Sequence, residues 1–444
     1  MFAFISGLDK RTKKATKNIL ASLLFKGGSI LISLILVPLT LSYLNSYEYG
    51  VWLTLSSILG WIYILDIGLG NGLRNKLTEA LALNDLKLAK IYVSTTFFIL
   101  TTLSLFVYVS FFILQQWLDW YVILNVEPDK ISNLNSIVTI VFAFFCASFI
   151  LKTIGNIYMA YQQPAINDLL LLLGNIISLI LIYLCTLLFP GSLEKVAILF
   201  SASPVVVFLL ATPITFFKYK EIKPSLTFIR LKYLRQLMSL GGQFFIIQMS
   251  CLIIFMTSNF VISQLFGPDQ VTPYNIVFKY FSVINIGFTI VLSPLWSAVT
   301  DAYTVKDMSW IRNIVKKTIL LWSIFVLLTI VMLIFSAQVY KLWVGEDIVI
   351  STLLSIVCGV YVTIYNWNNI FAYMLNGLGK IRLQLYSSII SGILFFPLAY
   401  YLGCKLGIAG IMMTMCCCLL ISSIWAPIQF WKIISNKAKG IWIK

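Results

Sequence analysis

The chain has 444 residues, of which 60% are hydrophobic and 11% charged, with a net charge of +16 and no histidine. Soluble domains carry about 25% charged residues, and here apolar runs of about twenty residues recur along the whole length, so a soluble globular fold is excluded. The basic excess sits in short segments between those runs and reads as membrane topology, not as a nucleic-acid surface.

Lys10, Arg11, Lys13, Lys14 and Lys17 precede the first apolar run. A signal peptide also starts basic. This run is too long, lacks a small-residue cleavage site and is followed by many more, so it is expected to be the first transmembrane helix. Twelve spans are expected, near 18–43, 48–67, 91–116, 132–161, 165–188, 194–217, 236–265, 273–300, 314–340, 348–375, 382–402 and 406–431. The fold class is all-α integral membrane, with two six-helix lobes. The lobes are 1–217 and 236–432, joined by a cytoplasmic linker at 218–235 and followed by a cytoplasmic tail at 433–444.

Orientation follows from the basic residues. With the N-terminus cytoplasmic, the inner segments hold 25 of the 32 Lys and Arg, the outer loops hold 4, and 3 lie within spans. That asymmetry places both termini inside. Trp117, Trp120 and Trp343 fall at outer ends, and Trp310 and Trp431 at inner ends, as an interfacial aromatic belt.

The stretch Tyr49 to Lys90 organises the first half. It runs apolar to Leu65, meets Asp66 and the cluster Gly68, Gly70, Gly72, and leaves charged. The glycines are not a GxGxxG loop after a strand; they read as a flexible turn. Leu73, Leu77 and Leu81 share one face of a short helix that is expected to lie on the membrane surface. A copy returns later: Tyr274-Asn275-Ile276-Val277 echoes Tyr49-Gly50-Val51-Trp52, and Asp307 and Arg312 fall where Asp85 and Lys90 fall. Pro38 and Pro294, in or near the first spans of the two halves, are the hinge candidates for alternating access.

Ionisable groups inside spans are costly and face polar cavities or partners. Lys26 and Lys152 lie about 10 Å into their spans from the inner side, and Lys279 about 9 Å from the outer side. The first two could also snorkel to the inner head groups, and Lys152 could pair with Asp168 across the turn Gln162-Gln163-Pro164. A cavity lined by such lysines would attract a phosphate group. The acidic residues Asp66, Asp168 and Asp301 sit near inner ends. The eight cysteines fall mostly in apolar runs without a CxxC pair, as buried small hydrophobes do. No Walker A, GxSxG, HExxH or DxD pattern occurs. No catalytic residue, metal or cofactor is expected, and any transport would draw on a gradient.

The stretch from Tyr49-Gly50-Val51-Trp52 through Asp66-Ile67-Gly68-Leu69-Gly70-Asn71-Gly72-Leu73-Arg74-Asn75-Lys76-Leu77 resembles that of bacterial polysaccharide flippases of the Wzx type. So does Tyr274 through Phe281, continuing to Pro294-Leu295-Trp296-Ser297-Ala298. Their superfamily also holds multidrug exporters and lipid II flippases. The resemblance implies two lobes around a central cationic cavity. It implies carriage of a polyprenyl-diphosphate-linked O-antigen or capsule repeat unit from the inner to the outer leaflet of the bacterial cytoplasmic membrane. By position, Lys26 and Lys279 match the family's cavity cations, and Lys152 matches less closely. Asp66, Asp168 and Asp301 become candidates for ion coupling. The partners implied are membrane lipids and the polysaccharide polymerase and chain-length machinery. A cation antiporter of the same superfamily would want deep acidic groups, and a polymerase would want a large outer loop; the chain has neither.

Overall fold

The computed structural model describes residues 10–60, 69–238, 257–304 and 306–443, with the backbone alone at 10–19, 71, 82, 293–294, 296–298, 300–301 and 304. The chain divides into two compact units, Met1–Gly242 and Gln243–Lys444. All regular structure among the described residues is helical. Nine described helices are long and apolar enough to cross a membrane. In hydrocarbon every backbone N–H and C=O must pair within its own segment, which a helix achieves and an open strand does not. The protein is an all-α integral membrane protein.

Unit 1 comprises α1 (Lys10–Tyr43), α2 (Ser46–Gly60), α3 (Leu69–Ala82), α4 (Leu86–Leu114), α5 (Trp120–Leu124), α6 (Leu134–Leu151), α7 (Thr153–Ala160), α8 (Pro164–Leu188), α9 (Leu193–Lys218) and α10 (Leu234–Met238). Helix α8 packs between α1 and α9, and α6 between α9 and α4. The most apolar window of α4 is only 11% buried, whereas that of the α6–α7 run is 50% buried. Helix α4 is therefore peripheral, with Leu105, Phe106 and Val109 exposed where lipid would lie, and α6–α7 is central.

Two apolar cores close the ends of unit 1. One gathers Tyr49, Trp52, Leu55, Trp120, Leu134 and Val196. The other gathers Leu73, Leu77, Ile157, Tyr158, Tyr219 and Leu237 at the end rich in lysine and arginine, called here the basic end. Several expectations change at these ends. Gly70 and Gly72 lie within α3, not in a turn. A Cβ at Gly72 would overlap the Leu237 carbonyl, so glycine here permits close helix approach. Leu73 and Leu77 are fully buried against protein instead of facing the bilayer. Trp120 is buried against Phe111, while Trp117 stays 73% exposed. The linker is strapped to α4: Ser225 N donates to Ser94 Oγ at 3.1 Å, Arg230 N to Thr95 Oγ1 at 3.1 Å, and Tyr92 packs edge-on against Tyr233.

Unit 2 comprises α11 (Val271–Thr304), α12 (Met308–Ile334), α13 (Ser336–Val344), α14 (Thr352–Gly377), α15 (Arg382–Leu406) and α16 (Ile408–Ile434), preceded by helical residues 257–266. Helix α14 is central, packing on α11, α12 and α16, while α15 packs on α16. Its Phe371 and Met374 join Phe288, Val315 and Phe430 in the core. The 26-residue α14 has the length to span and carries Asn366, Asn368 and Asn369 within it.

The echo between the halves has a structural counterpart. Helix α3 ends with Asn84 at φ 58° and Asp85 N bonded to Ala80 O at 2.9 Å; α11 ends with Lys306 at φ 60° and Asp307 N bonded to Ala302 O at 2.8 Å. Both are left-handed C-terminal turns that satisfy orphan carbonyls. Each aspartate then caps the next helix, Asp85 accepting from Leu88 N and Asp307 from Trp310 N.

Candidate functional site

The expected fourth span tightens where its lysine sits. Helix α6 passes into α7 through the single residue Lys152, which stays right-handed: Lys152 N donates to Ser148 O at 3.0 Å in helical register, and Gly155 N reaches Lys152 O at 2.9 Å. One turn on, the Asn167 amide lies so close to the α-carbon of Gly155 that a Cβ would collide with it. Beside this turn lies a cavity of about 300 Å³ lined by Lys152, Thr153, Asn156 and Asn167, with Leu100 and Phe208 among its apolar walls. The buried Thr153 hydroxyl has no hydrogen-bond partner. An ammonium, two amides and a free hydroxyl, with no carboxylate in the lining, form a donor-rich site suited to an anion.

Helix α8 links this cavity to the first span. Pro164 occupies its first turn, where the missing N–H costs nothing. Asn167 then meets the Lys152 cavity while Asp168 turns to α1. Asp168 is 7% exposed. It accepts a short hydrogen bond from Ser22 Oγ and pairs with Lys26 Nζ at 3.8 Å. The carboxylate expected opposite Lys152 is thus engaged by Lys26. The pair is lopsided, because the Lys26 side chain remains 57% exposed.

In unit 2, α11 buries Tyr274, Val277, Phe281, Ile284, Phe288 and Leu292. Asn275, Lys279, Ser282 and Thr289 lie along its half-exposed face. Their spacing aligns them as one polar stripe. Asn275 Nδ2 donates to Asn259 Oδ1 at 2.9 Å, fixing the stripe one turn from the lysine. Among the described residues no carboxylate forms an ion pair with Lys279.

Asp66 lies outside the described residues, and Asp301 and Pro294 are described by backbone only, within α11. Pro38 lies inside α1, and both helices run on through their prolines. The structure brings Lys26 and Asp168 together and places Lys152 with Asn167 in a separate cavity. The uncharged members, Thr153, Asn156, Asn167 and Asn259, escaped a search for charges. The signal for them was amides spaced along otherwise apolar runs.

The fold has counterparts among solved structures. An inward-facing multidrug resistance MATE family transporter of the MOP superfamily superposes with a TM-score of 0.75 at 14% identity, covering 94% of this chain and 98% of that one. A MOP superfamily transporter from Pyrococcus furiosus superposes at 0.64 with 16% identity, covering 96% and 97%. The chain therefore has the helical fold of MOP-superfamily transporters. In sequence it is 26% identical over 431 residues to a Yersinia pseudotuberculosis protein named as an O-antigen export protein, covering 93% of this chain and 94% of the relative. It is 22% identical over 433 residues to a Salmonella typhimurium protein named as an O-antigen transporter, covering 91% and 94%. No family model matches the sequence.

Proposed function

We propose that the protein is a flippase that moves a polyprenyl-diphosphate-linked oligosaccharide from the inner to the outer leaflet of the bacterial cytoplasmic membrane by alternating access of two lobes. The carrying observation is the cavity beside Lys152, whose ammonium, amides and hydroxyl suit a diphosphate. The near full-length similarity to proteins named as O-antigen transporters supports the same reading. A site lined by lysine and amides with no carboxylate disfavours organic cations, which need carboxylates instead.

Lys152, Lys26 and Lys279 are the proposed cations for the head group, and Asp168 is the best-placed of the ion-coupling candidates. A diphosphate carries more charge than a carboxylate and competes with Asp168 for the exposed Lys26 ammonium. Substrate arrival would then release Asp168, giving an ion gradient a group to act on; Asp66 and Asp301 remain further candidates. Pro38 and Pro294 are proposed hinges. The basic segments are proposed to be cytoplasmic, with both termini inside, and the polymerase and chain-length machinery as neighbours.

The test uses purified full-length protein in liposomes carrying the lipid-linked oligosaccharide on the inner leaflet. Exposure of sugar to an external glycosidase should outpace that in protein-free liposomes and rise with an imposed ion gradient. No acceleration under any gradient would refute the flippase reading.

A further inference from the structure

Unit 2 contains a second cavity that the lysine sites do not use. Its volume is about 150 Å³, and three helices each turn one face to it. Helix α14 offers Tyr365, Asn368, Asn369 and Ala372; α15 offers Gln384, Ser387, Ser388 and Ser391; α16 offers Met415, Cys418, Leu419, Ser422 and Trp425. Spacings of three and four residues put each set on one helical face. The wall between α15 and α16 is closed by Ser391 Oγ donating to Cys418 O at 3.1 Å.

No acidic or basic side chain lines this cavity. An anion would find no counter-charge here and an organic cation no carboxylate, so both would be left desolvated. The lining is also wrong for a lipid chain. The Gln384 Oε1 acceptor and the Trp425 Nε1 donor are both buried without a hydrogen-bond partner. Asn368 and Asn369 add two further amides, and an apolar occupant would strand them all at a cost. What remains is an uncharged ligand with hydroxyl groups on its edge and an apolar face for the aromatic rings.

We propose that this cavity is a neutral-sugar subsite, holding one uncharged pyranose residue of the transported head group. Tyr365 and Trp425 supply flat surface for the ring's C–H face. Gln384 accepts from a hydroxyl, the Trp425 indole N–H donates to one, and Asn369 does both. The volume admits a single ring, so the subsite reads one sugar and leaves the rest of the oligosaccharide unread. This assignment rests on the flippase reading for the identity of the sugar's carrier, but not for the binding of sugar itself.

The experiment is saturation-transfer-difference NMR on the full-length protein in lipid nanodiscs. The probes are the methyl glycosides of glucose, galactose, mannose, rhamnose, fucose, N-acetylglucosamine and N-acetylgalactosamine, with choline as a cationic control. At least one glycoside should show transfer to its ring protons. Each lost hydrogen bond should weaken its binding about five-fold. Gln384→Leu and Asn369→Ala each remove one or more such bonds, and Trp425→Phe drops the N–H while keeping a smaller aromatic face. Circular dichroism and gel filtration show which variants are folded, and the comparison uses those. Transfer to no glycoside, transfer to choline in preference, or transfer unchanged in every folded variant overturns the subsite. Flipping without a pocket-dependent sugar signal sinks the subsite and leaves the flippase. Sugar binding without flipping leaves the subsite and sinks the flippase.

Discussion

Replacing Lys26 by alanine leaves the nearly buried Asp168 carboxylate with the Ser22 hydroxyl as its partner. At 3.8 Å a full charge pair is worth about 4 kcal/mol at an effective dielectric constant of about 20. That figure is an upper limit, because the Lys26 side chain is 57% exposed and screened pairs fall to roughly 0–1 kcal/mol. Asp168 sits at the other extreme, since stranding a buried charge costs about 3–5 kcal/mol. Between these limits we expect Lys26→Ala to destabilise unit 1 by about 2 kcal/mol. Asp168→Asn keeps the hydrogen bond to Ser22 and should cost less. The double variant should be more stable than Lys26→Ala alone, because no charge is then stranded. The coupling energy should be about 1–2 kcal/mol. Steric-trapping measurements of unfolding free energy in bicelles give all four corners of the cycle. Additivity within about 0.5 kcal/mol, or a double variant no more stable than Lys26→Ala, would refute the reasoning.

The polar stripe on α11 predicts that Lys279→Ala lowers flipping at least ten-fold while the folded yield is unchanged; a normal rate in the variant removes Lys279 from the site. Gly72→Val forces a side chain into the Leu237 carbonyl, and overpacking of this kind costs about 1–3 kcal/mol. A thermal midpoint that does not fall would show that α3 and α10 do not touch. The Asp307 carboxyl is held below the ordinary carboxylate range, first by the Ser309 hydroxyl and then by the Trp310 N–H. Its folded value lies below its unfolded one, so the cap is intact above the unfolded value near pH 4 and is lost as pH falls through the folded value. Amide exchange at 308–311 should therefore accelerate at low pH in the natural protein and stay flat in Asp307→Asn. Cysteines placed at the exposed positions Asp129 and Asp269, in a background free of native thiols, should react with impermeant reagents from outside intact cells. Labelling only after lysis would reverse the orientation.

The nine described apolar helices were legible because hydrocarbon imposes one rule on every residue of a run. What the runs concealed was the cavity at Lys152, because its remaining polar lining, Thr153, Asn156 and Asn167, is uncharged and does not stand out from an apolar average. The fate of Leu73 and Leu77 was hidden for a related reason. An amphipathic face has the same period whether it meets lipid or protein, and only Gly72 against Leu237 decides between them. The partner of Asp168 was misplaced because sequence proximity favoured Lys152, whereas packing of α8 on α1 delivers Lys26. The unit 2 cavity was invisible to a search for charges, since what distinguishes it is amides and rings.

The turns at the basic ends explain why the repeat was faint. Asn84 and Gln162 in unit 1 and Lys306, Gly379 and Asn436 in unit 2 all have positive φ, and each is followed by the same backbone bond reaching five residues back. Such a turn fixes backbone geometry and leaves the side chain free, so its residue can differ at every occurrence. The residue that caps the next helix is more restricted, because its side chain must supply the acceptor, and Asp85 and Asp307 both do so. The same logic separates the frame from the sites. The ends of both units are held by backbone bonds and buried leucine, valine and phenylalanine, which constrain shape and not charge. Their middles are free to carry an ammonium beside amides in one unit and a neutral, hydroxyl-receptive cavity in the other.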